Sequence, residues 1–129
     1  MGVRRDVSGS RGACAPLLLS QLVGLHSGPG WRVVDGRVEG RMGELRISIS
    51  GSRPMSVVLR RDGEMIARGL CVGVRAIIPR LVRALRERVE AAEDGLSSAV
   101  WSLEDGVSVA EECRWLEDRR SILRELERL

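Results

Sequence analysis

The run MSVVLRRDGEMIARGLCV, residues 55–72, holds the pattern that decides the fold. Two strand-like segments, MSVVLRR and EMIARGLCV, flank the pair Asp62-Gly63. An Asp-Gly pair between such runs is a strong hairpin signal, because the two-residue turns that match strand twist need residues tolerating positive φ. Just upstream, in ELRISIS, Leu45, Ile47 and Ile49 point one way while Glu44, Arg46 and Ser48 point the other. That is the period of two of a half-buried strand. A second pair, Asp35-Gly36, joins WRVV to RVEG, and Gly40 and Gly43 are expected to mark a bulge or bend where that strand runs on into ELRISIS. Trp31 to Val72 therefore reads as an antiparallel meander of four or five strands.

Helical periods flank the meander. Pro16 suits a first helical turn, where its missing N–H would go unpaired anyway. Leu17, Leu18, Leu19, Leu22, Val23 and Leu25 give that helix a wide apolar face, and HSGPG (residues 26–30) ends it. The helical period returns at Val74, with Ile78, Leu81, Val82, Leu85, Val89 and Ala92 on one face and Pro79 in or just before the first turn. Asp94-Gly95 is expected to close this helix, and a shorter helical segment follows with Leu96, Ala99, Val100 and Leu103, beside Trp101. After Glu104-Asp105-Gly106, Ser108 and Glu111 form an S-x-x-E capping box, which predicts a last helix from about Val109 to Leu129. Val109, Leu116 and Leu123 recur at intervals of seven, as do Trp115, Ile122 and Leu129. With Leu126, these are the candidate oligomerisation residues of a helix packing on partner helices. The competing reading is an amphipathic helix folded onto its own domain.

The expected fold class is α+β: an N-terminal helix, the four- to five-stranded meander, a covering helix and a C-terminal helical oligomerisation segment. The expected organisation is a basic arm at 1–12, a basic α+β domain at 13–94 and an acidic helical segment at 95–129.

Length and composition fit that plan. The chain has 129 residues, 43% hydrophobic and 30% charged, the balance of one compact globular domain. No apolar run approaches the length that spans a bilayer and no signal peptide is visible, so a cytoplasmic protein is expected. All 21 basic residues are Arg, and Lys, Asn, Thr, Tyr and Phe are absent. Avoidance of heat-labile side chains and a GC-rich coding bias both account for this, and both stay open.

The same absences weigh against catalysis, which draws on His, Lys, Tyr, Cys and carboxylates. The single His, His26, sits where the first helix meets its turn and reads as a helix-end residue. Cys14, Cys71 and Cys113 form no CxxC, and one His cannot complete a zinc site with them, so neither a metal nor a cofactor is expected. The thiols read as reduced and mostly buried. Cys14, near the expected helix start, has no partner base, so an enzyme built on it is the weakest hypothesis. No GxGxxG or Walker-type loop occurs.

Charge is distributed unevenly. Residues 1–88 carry 16 Arg against 7 acidic residues, a balance of +9, while residues 89–129 carry 5 against 11, a balance of −6. A basic body points to an anionic partner, most often nucleic acid. The alternative is an acidic protein surface or the chain's own acidic end. One sheet face is expected under the helices. The other would carry Arg32, Arg46, Arg60 and Arg68, with Arg37, Arg41, Arg53 and Arg61 at turns and edges. Val58 shares parity with Arg60, and Ile66 with Arg68, which mixes apolar area among the arginines. Single-strand binders combine such a positive surface with flat or apolar platforms for bases. Trp31, the one aromatic in the sheet region, is the leading stacking candidate, although a core Trp beside a turn is equally ordinary; Met55 and Met65 join it.

The hairpin VVLRRDGEMIARG, the helix VRAIIPRLVRALRERVEAAE and the tail SVAEECRWLEDRRSILRELERL, in that order, resemble the ThermoDBP-related proteins, non-canonical single-stranded DNA-binding proteins of hyperthermophilic archaea. The likeness lies in layout and composition over nearly all of the chain after residue 14. It implies base contacts through apolar and aromatic side chains flanked by basic ones, and C-terminal segments that assemble subunits around the strand. The scarcity of aromatics here departs from that picture and shifts the contacts to Arg planes, Met55, Met65 and Trp31. The expectation is a non-enzymatic, sequence-nonspecific binder of single-stranded DNA acting as a homo-oligomer, dimer or tetramer, in the cytoplasm. An RNA-binding protein, or an adaptor whose basic domain meets an acidic protein, is the alternative.

Overall fold

A computed structural model describes residues 15–51, 53–102 and 106–129, with side chains of 97–108 left out of the description. Helix α1 spans residues 15–25. Strands β1 (Gly30–Val34), β2 (Arg37–Met42), β3 (Leu45–Ser50), β4 (Met55–Arg61) and β5 (Glu64–Cys71) follow, then a 3-10 turn at Val74–Ala76 and helices α2 (Ile77–Ser102) and α3 (Gly106–Glu127). The fold is α+β in the order read from the sequence.

All five strands form one antiparallel sheet in the order β1-β2-β3-β4-β5. Both Asp-Gly pairs make its tight turns. Asp35 and Gly36 have φ of 51° and 73°, and Asp62 and Gly63 have 52° and 80°. Positive φ at both central residues is the I′ geometry, which only Gly, Asn and Asp enter at low cost. The expectation for Gly40 and Gly43 is corrected. β2 does not bend into β3; a separate turn at Gly43-Glu44 reverses the chain, and Gly40 lies inside β2, paired with Trp31. The irregularity falls instead in the last hairpin. Leu59 pairs with Ala67 but Arg60 with Met65, so Ile66 is an extra residue in β5. This bulge turns Ile66 and Ala67 both inward, at 0% and 1% exposure, while Arg68 stays exposed.

The chain divides into two compact units, the first ending at Leu81 and including Leu129, the second running from Val82 to Arg128. The division falls within α2. In the first unit, register puts Val38, Leu45, Ile47, Ile49, Met55, Val57, Leu59, Ala67 and Cys71 on one face of the sheet, and all are buried. Leu22 of α1 and Ile77, Ile78 and Leu81 of α2 are buried with them. Each such Leu or Ile contributes about 1.5–3 kcal/mol when withdrawn from water. Arg80 marks where α2 crosses this face: its side chain lies so close over Gly69 of β5 that a Cβ there would sit 2.8 Å from its Cγ. The main-chain N–H of His26 donates to the Leu22 carbonyl at 2.8 Å and closes α1.

The second unit is an antiparallel helical hairpin. Leu85 and Val89 of α2 and Leu116, Ile122 and Leu126 of α3 are buried. The ion pairs Arg86–Glu127 (3.5 Å) and Arg120–Glu93 (3.0 Å) join the helices. Partly exposed pairs of this kind contribute at most about 1 kcal/mol each, so the apolar seam holds the hairpin.

Two helix boundaries differ from expectation. α2 continues through Asp94-Gly95 to Ser102, because a lone helical Gly costs only about 1 kcal/mol and supplies no stop without a following Pro. α3 begins at Gly106, so Ser108 lies within its first turn rather than at its cap.

Candidate anion-binding face

The side of the sheet opposite the buried one is built by alternation. In β2, RVEGRM sends Arg37, Glu39 and Arg41 outward and Val38 and Gly40 inward. In β3, LRISIS sends out Arg46, Ser48 and Ser50. Register then lines these side chains up across strands. Arg41 pairs with Arg46, Arg46 with Arg60 and Arg60 with Met65, giving a row of three arginines across adjacent strands. The next row runs Arg32, Glu39, Ser48, Val58, Arg68; beyond it Val34 pairs with Arg37, and Ser56 with both Ser50 and Leu70. All six arginines are exposed.

Like charges directly opposite one another on paired strands are destabilising, and Cβ atoms there lie only about 4.5–5.5 Å apart. One carboxylate offsets this. Glu39, with its side chain 14% exposed, has Oε1 3.2 Å from Arg32 Nη2, 3.5 Å from Arg46 Nε and 4.0 Å from Arg41 Nε. Arg37, Arg60 and Arg68 make no ion pair with a described residue. The face therefore holds more positive charge than the described residues neutralise.

Seven of the candidates converge here: Arg32, Arg37, Arg41, Arg46, Arg60, Met65 and Arg68. Three do not. Trp31 pairs with Gly40 on the helix-covered side of the sheet, and its ring lies flat over that glycine, where a Cβ would stand 2.4 Å from Cζ3. Its indole N–H donates to the His26 carbonyl at 2.7 Å. Trp31 is thus half-buried against its own fold rather than offered to a base. Met55 is buried at 6% exposure and faces the core. Arg61 pairs with Leu45 on the covered side, is half-buried and has a partner of its own. Arg53 lies in the β3–β4 loop, on the rim of a groove of about 930 Å³ that α1 and the strand ends enclose.

Sequence reasoning missed Glu39, although it shares parity with Arg37 and Arg41 and so had to lie among them. Parity alone puts Ile66 among the arginines, because nothing in EMIARGLCV marks the bulge.

On α3, Leu116, Ile122 and Leu126 are buried within the single chain, at 2%, 4% and 0% exposure, and so present no free seam to a partner. Trp115, Leu123 and Val109 are half-buried, and Leu129 is half-buried and groups with the first unit. Arg119, although charged, is 4% exposed; its Nη1 donates to Asp118 Oδ2 at 2.6 Å and its guanidinium stands 4.9 Å from the Trp115 ring centre.

The thiols separate. Cys71 is buried, and burial pushes its pKa up, with Arg80 opposing in part. Cys113 is exposed, because it faces away from the apolar seam of α3. Cys14 and the arm at 1–12 lie outside the described residues. Among the described residues, no group of three or more His, Cys, Asp or Glu could hold a metal ion, and no helix is long and apolar enough to cross a membrane. Compared with family models, curated proteins and solved structures, the chain matches none of them.

Proposed function

We propose that this protein binds single-stranded nucleic acid, DNA in the first place, without sequence preference, through the arginine face of its sheet. The observation that carries the reading is the row Arg41–Arg46–Arg60, a mutually repulsive arrangement that an anion running across the strands relieves. Each phosphate neutralised releases counterions, which gives affinity without base readout. Preference for a single strand rests on the apolar positions among the arginines. Val58 and Met65 are half-buried and Leu70 is 60% exposed, so unstacked bases find apolar area beside the charges. Arg planes supply the stacking surface that aromatic residues would otherwise give. The protein acts without catalysis, in the cytoplasm, as a homo-oligomer to which α3 contributes the half-buried Val109, Trp115 and Leu123. The order of helix, meander and helices agrees with the resemblance to the ThermoDBP-related proteins.

Fluorescence anisotropy with labelled single-stranded DNA, duplex DNA and RNA, at low and moderate salt, tests the reading. Single-stranded DNA is expected to bind most tightly, and the double variant Arg46→Glu, Arg60→Glu to lose at least tenfold in affinity, about 1.4 kcal/mol. No binding of single strands at low salt sinks it and leaves an acidic protein surface as the counterpart of the face.

A further inference from the structure

Glu39 divides the arginine face into two halves. On β1–β3 it stands directly opposite Arg32, two residues before Arg41 on its own strand and diagonal to Arg46, which pairs with Arg41. A single oxygen, Oε1, serves all three guanidinium groups. It accepts from Arg32 Nη2 at 3.2 Å and lies 3.5 Å from Arg46 Nε and 4.0 Å from Arg41 Nε. The carboxylate is sheltered, while the three arginine side chains around it stay about half exposed and open to an incoming anion. On β4 and β5 the face is built differently. Arg60 pairs with Met65 and Val58 with Arg68, which sets two arginines without an ion-pair partner among the described residues beside two apolar side chains. The halves meet where Arg46 pairs with Arg60, a contact of like charges.

We infer that Glu39 is a resident competitor for the bound anion: a strand seats on Arg60 and Arg68, then takes Arg46 and Arg41 from the carboxylate, which keeps Arg32. The order of release follows from the distances. Arg32 is held by a charge-assisted hydrogen bond, the stronger kind of contact, whereas Arg46 and Arg41 are held at longer range by charge alone. Exchanging one carboxylate for one phosphate gains nothing by itself, since the number of ion pairs is unchanged. A chain of phosphates gains Arg60 and Arg68 in the same event, and each phosphate seated raises the effective concentration of the next. Glu39 thus makes the face answer to a polyanion and not to isolated anions.

This role of Glu39 rests on the function proposed above for the identity of the chain, so the test includes a polyanion that is not a nucleic acid. Fluorescence anisotropy with labelled single-stranded DNA, and thermal denaturation with inorganic polyphosphate, compare the parent with Glu39→Gln, Glu39→Asp and Glu44→Gln. The Gln variant at 39 removes the charge, whereas the Asp variant keeps it but withdraws it by one methylene. Glu44→Gln removes the same charge from the β2–β3 turn, where the carboxylate has no ion-pair partner among the described residues. Glu39→Gln is expected to bind single-stranded DNA about three- to tenfold more tightly than the parent, the scale of one or two partly exposed ion pairs released. Its salt slope is expected to steepen by about 0.7 for each further phosphate contacted. Glu39→Asp is expected to tighten binding at unchanged net charge, and Glu44→Gln to change it by about twofold at most, since exposed charges are screened. Without ligand, Glu39→Gln is expected to melt below the parent, because three guanidinium groups lose their counter-charge, and polyphosphate to raise its midpoint by more than the parent's. Equal or weaker DNA binding by Glu39→Gln, or the same gain from Glu44→Gln, overturns the inference and leaves nucleic-acid binding untouched. A larger polyphosphate response in both Glu39 variants, while no DNA or RNA binds the parent, upholds the competitor and sinks the nucleic-acid reading. If no polyanion affects the parent or any variant, both fall. Should circular dichroism show Glu39→Gln unfolded, Glu39→Asp decides: tighter binding than the parent upholds the inference, and unchanged or weaker binding overturns it.

Discussion

At the scale of single residues, the fold is set by close approaches that no side chain could replace. Gly40 is the clearest. It sits under the Trp31 ring, and an added Cβ would meet ring carbons at 2.4 and 2.6 Å. The ring is also tethered by its bond to the His26 carbonyl, so it cannot simply swing away. Gly40→Ala is therefore expected to cost about 1–3 kcal/mol, the usual range for overpacking. Thermal denaturation with Trp emission as a second probe checks this, and an unchanged midpoint would show that the ring moves freely. The cysteines give a second expectation. A thiol whose pKa is raised stays protonated and unreactive, so iodoacetamide at neutral pH should modify Cys113 well before Cys71, as peptide mass spectrometry would show. The sign for stability follows from the same shift. As pH rises past the ordinary thiol range, the unfolded chain releases the Cys71 proton while the folded chain retains it, so Cys71 makes the fold less stable at alkaline pH.

Among secondary elements, the local pattern of the sheet carries over into the structure, whereas Leu17, Val23 and Leu25 of the apolar face expected for α1 are exposed. The alternation in ELRISIS and the two Asp-Gly turns were legible because they depend on neighbours in sequence. The end of α2 was not. Asp94-Gly95 looks like a stop, yet the helix continues to Ser102, since the hydrogen-bonded ladder outweighs the modest cost of one glycine. That cost is recoverable. Gly95 is exposed and nothing stands within 4 Å of a Cβ placed on it. Gly95→Ala is expected to stabilise the protein by about 0.5–1 kcal/mol, visible as a shift of the urea midpoint with unchanged m-value. The heptads of α3 show the opposite limit. Interval-of-seven spacing identifies an apolar stripe but not its occupant, and in this chain Leu116, Ile122 and Leu126 are buried without any partner chain.

For the whole molecule, the arginine face sets an expectation that single residues do not. Its affinity should fall with salt, with a slope of log K against log salt of about −2 to −4, from −0.7 per phosphate contacted on a single strand and three to six contacts. Anisotropy titrations over several salt concentrations measure this. A flat dependence would mean that the arginines do not meet phosphates. Much of the face was legible in the sequence, because parity along β2 and β3 sends Arg37, Arg41 and Arg46 to one side whatever surrounds them. What parity could not decide was which strands stand in register, and with them the row Arg41–Arg46–Arg60 and the placement of Glu39 beside three guanidinium groups. Nor could it place Trp31, whose side of the sheet depends on its pairing with Gly40. The sequence by itself determined the order of elements, the turns and the uneven charge, since these follow from backbone sterics, period and composition. Only the tertiary structure decided which charges meet, which tryptophan is spent in packing and where a bulge draws Ile66 inward, because cross-strand register and side-chain packing are properties of residues far apart in the chain.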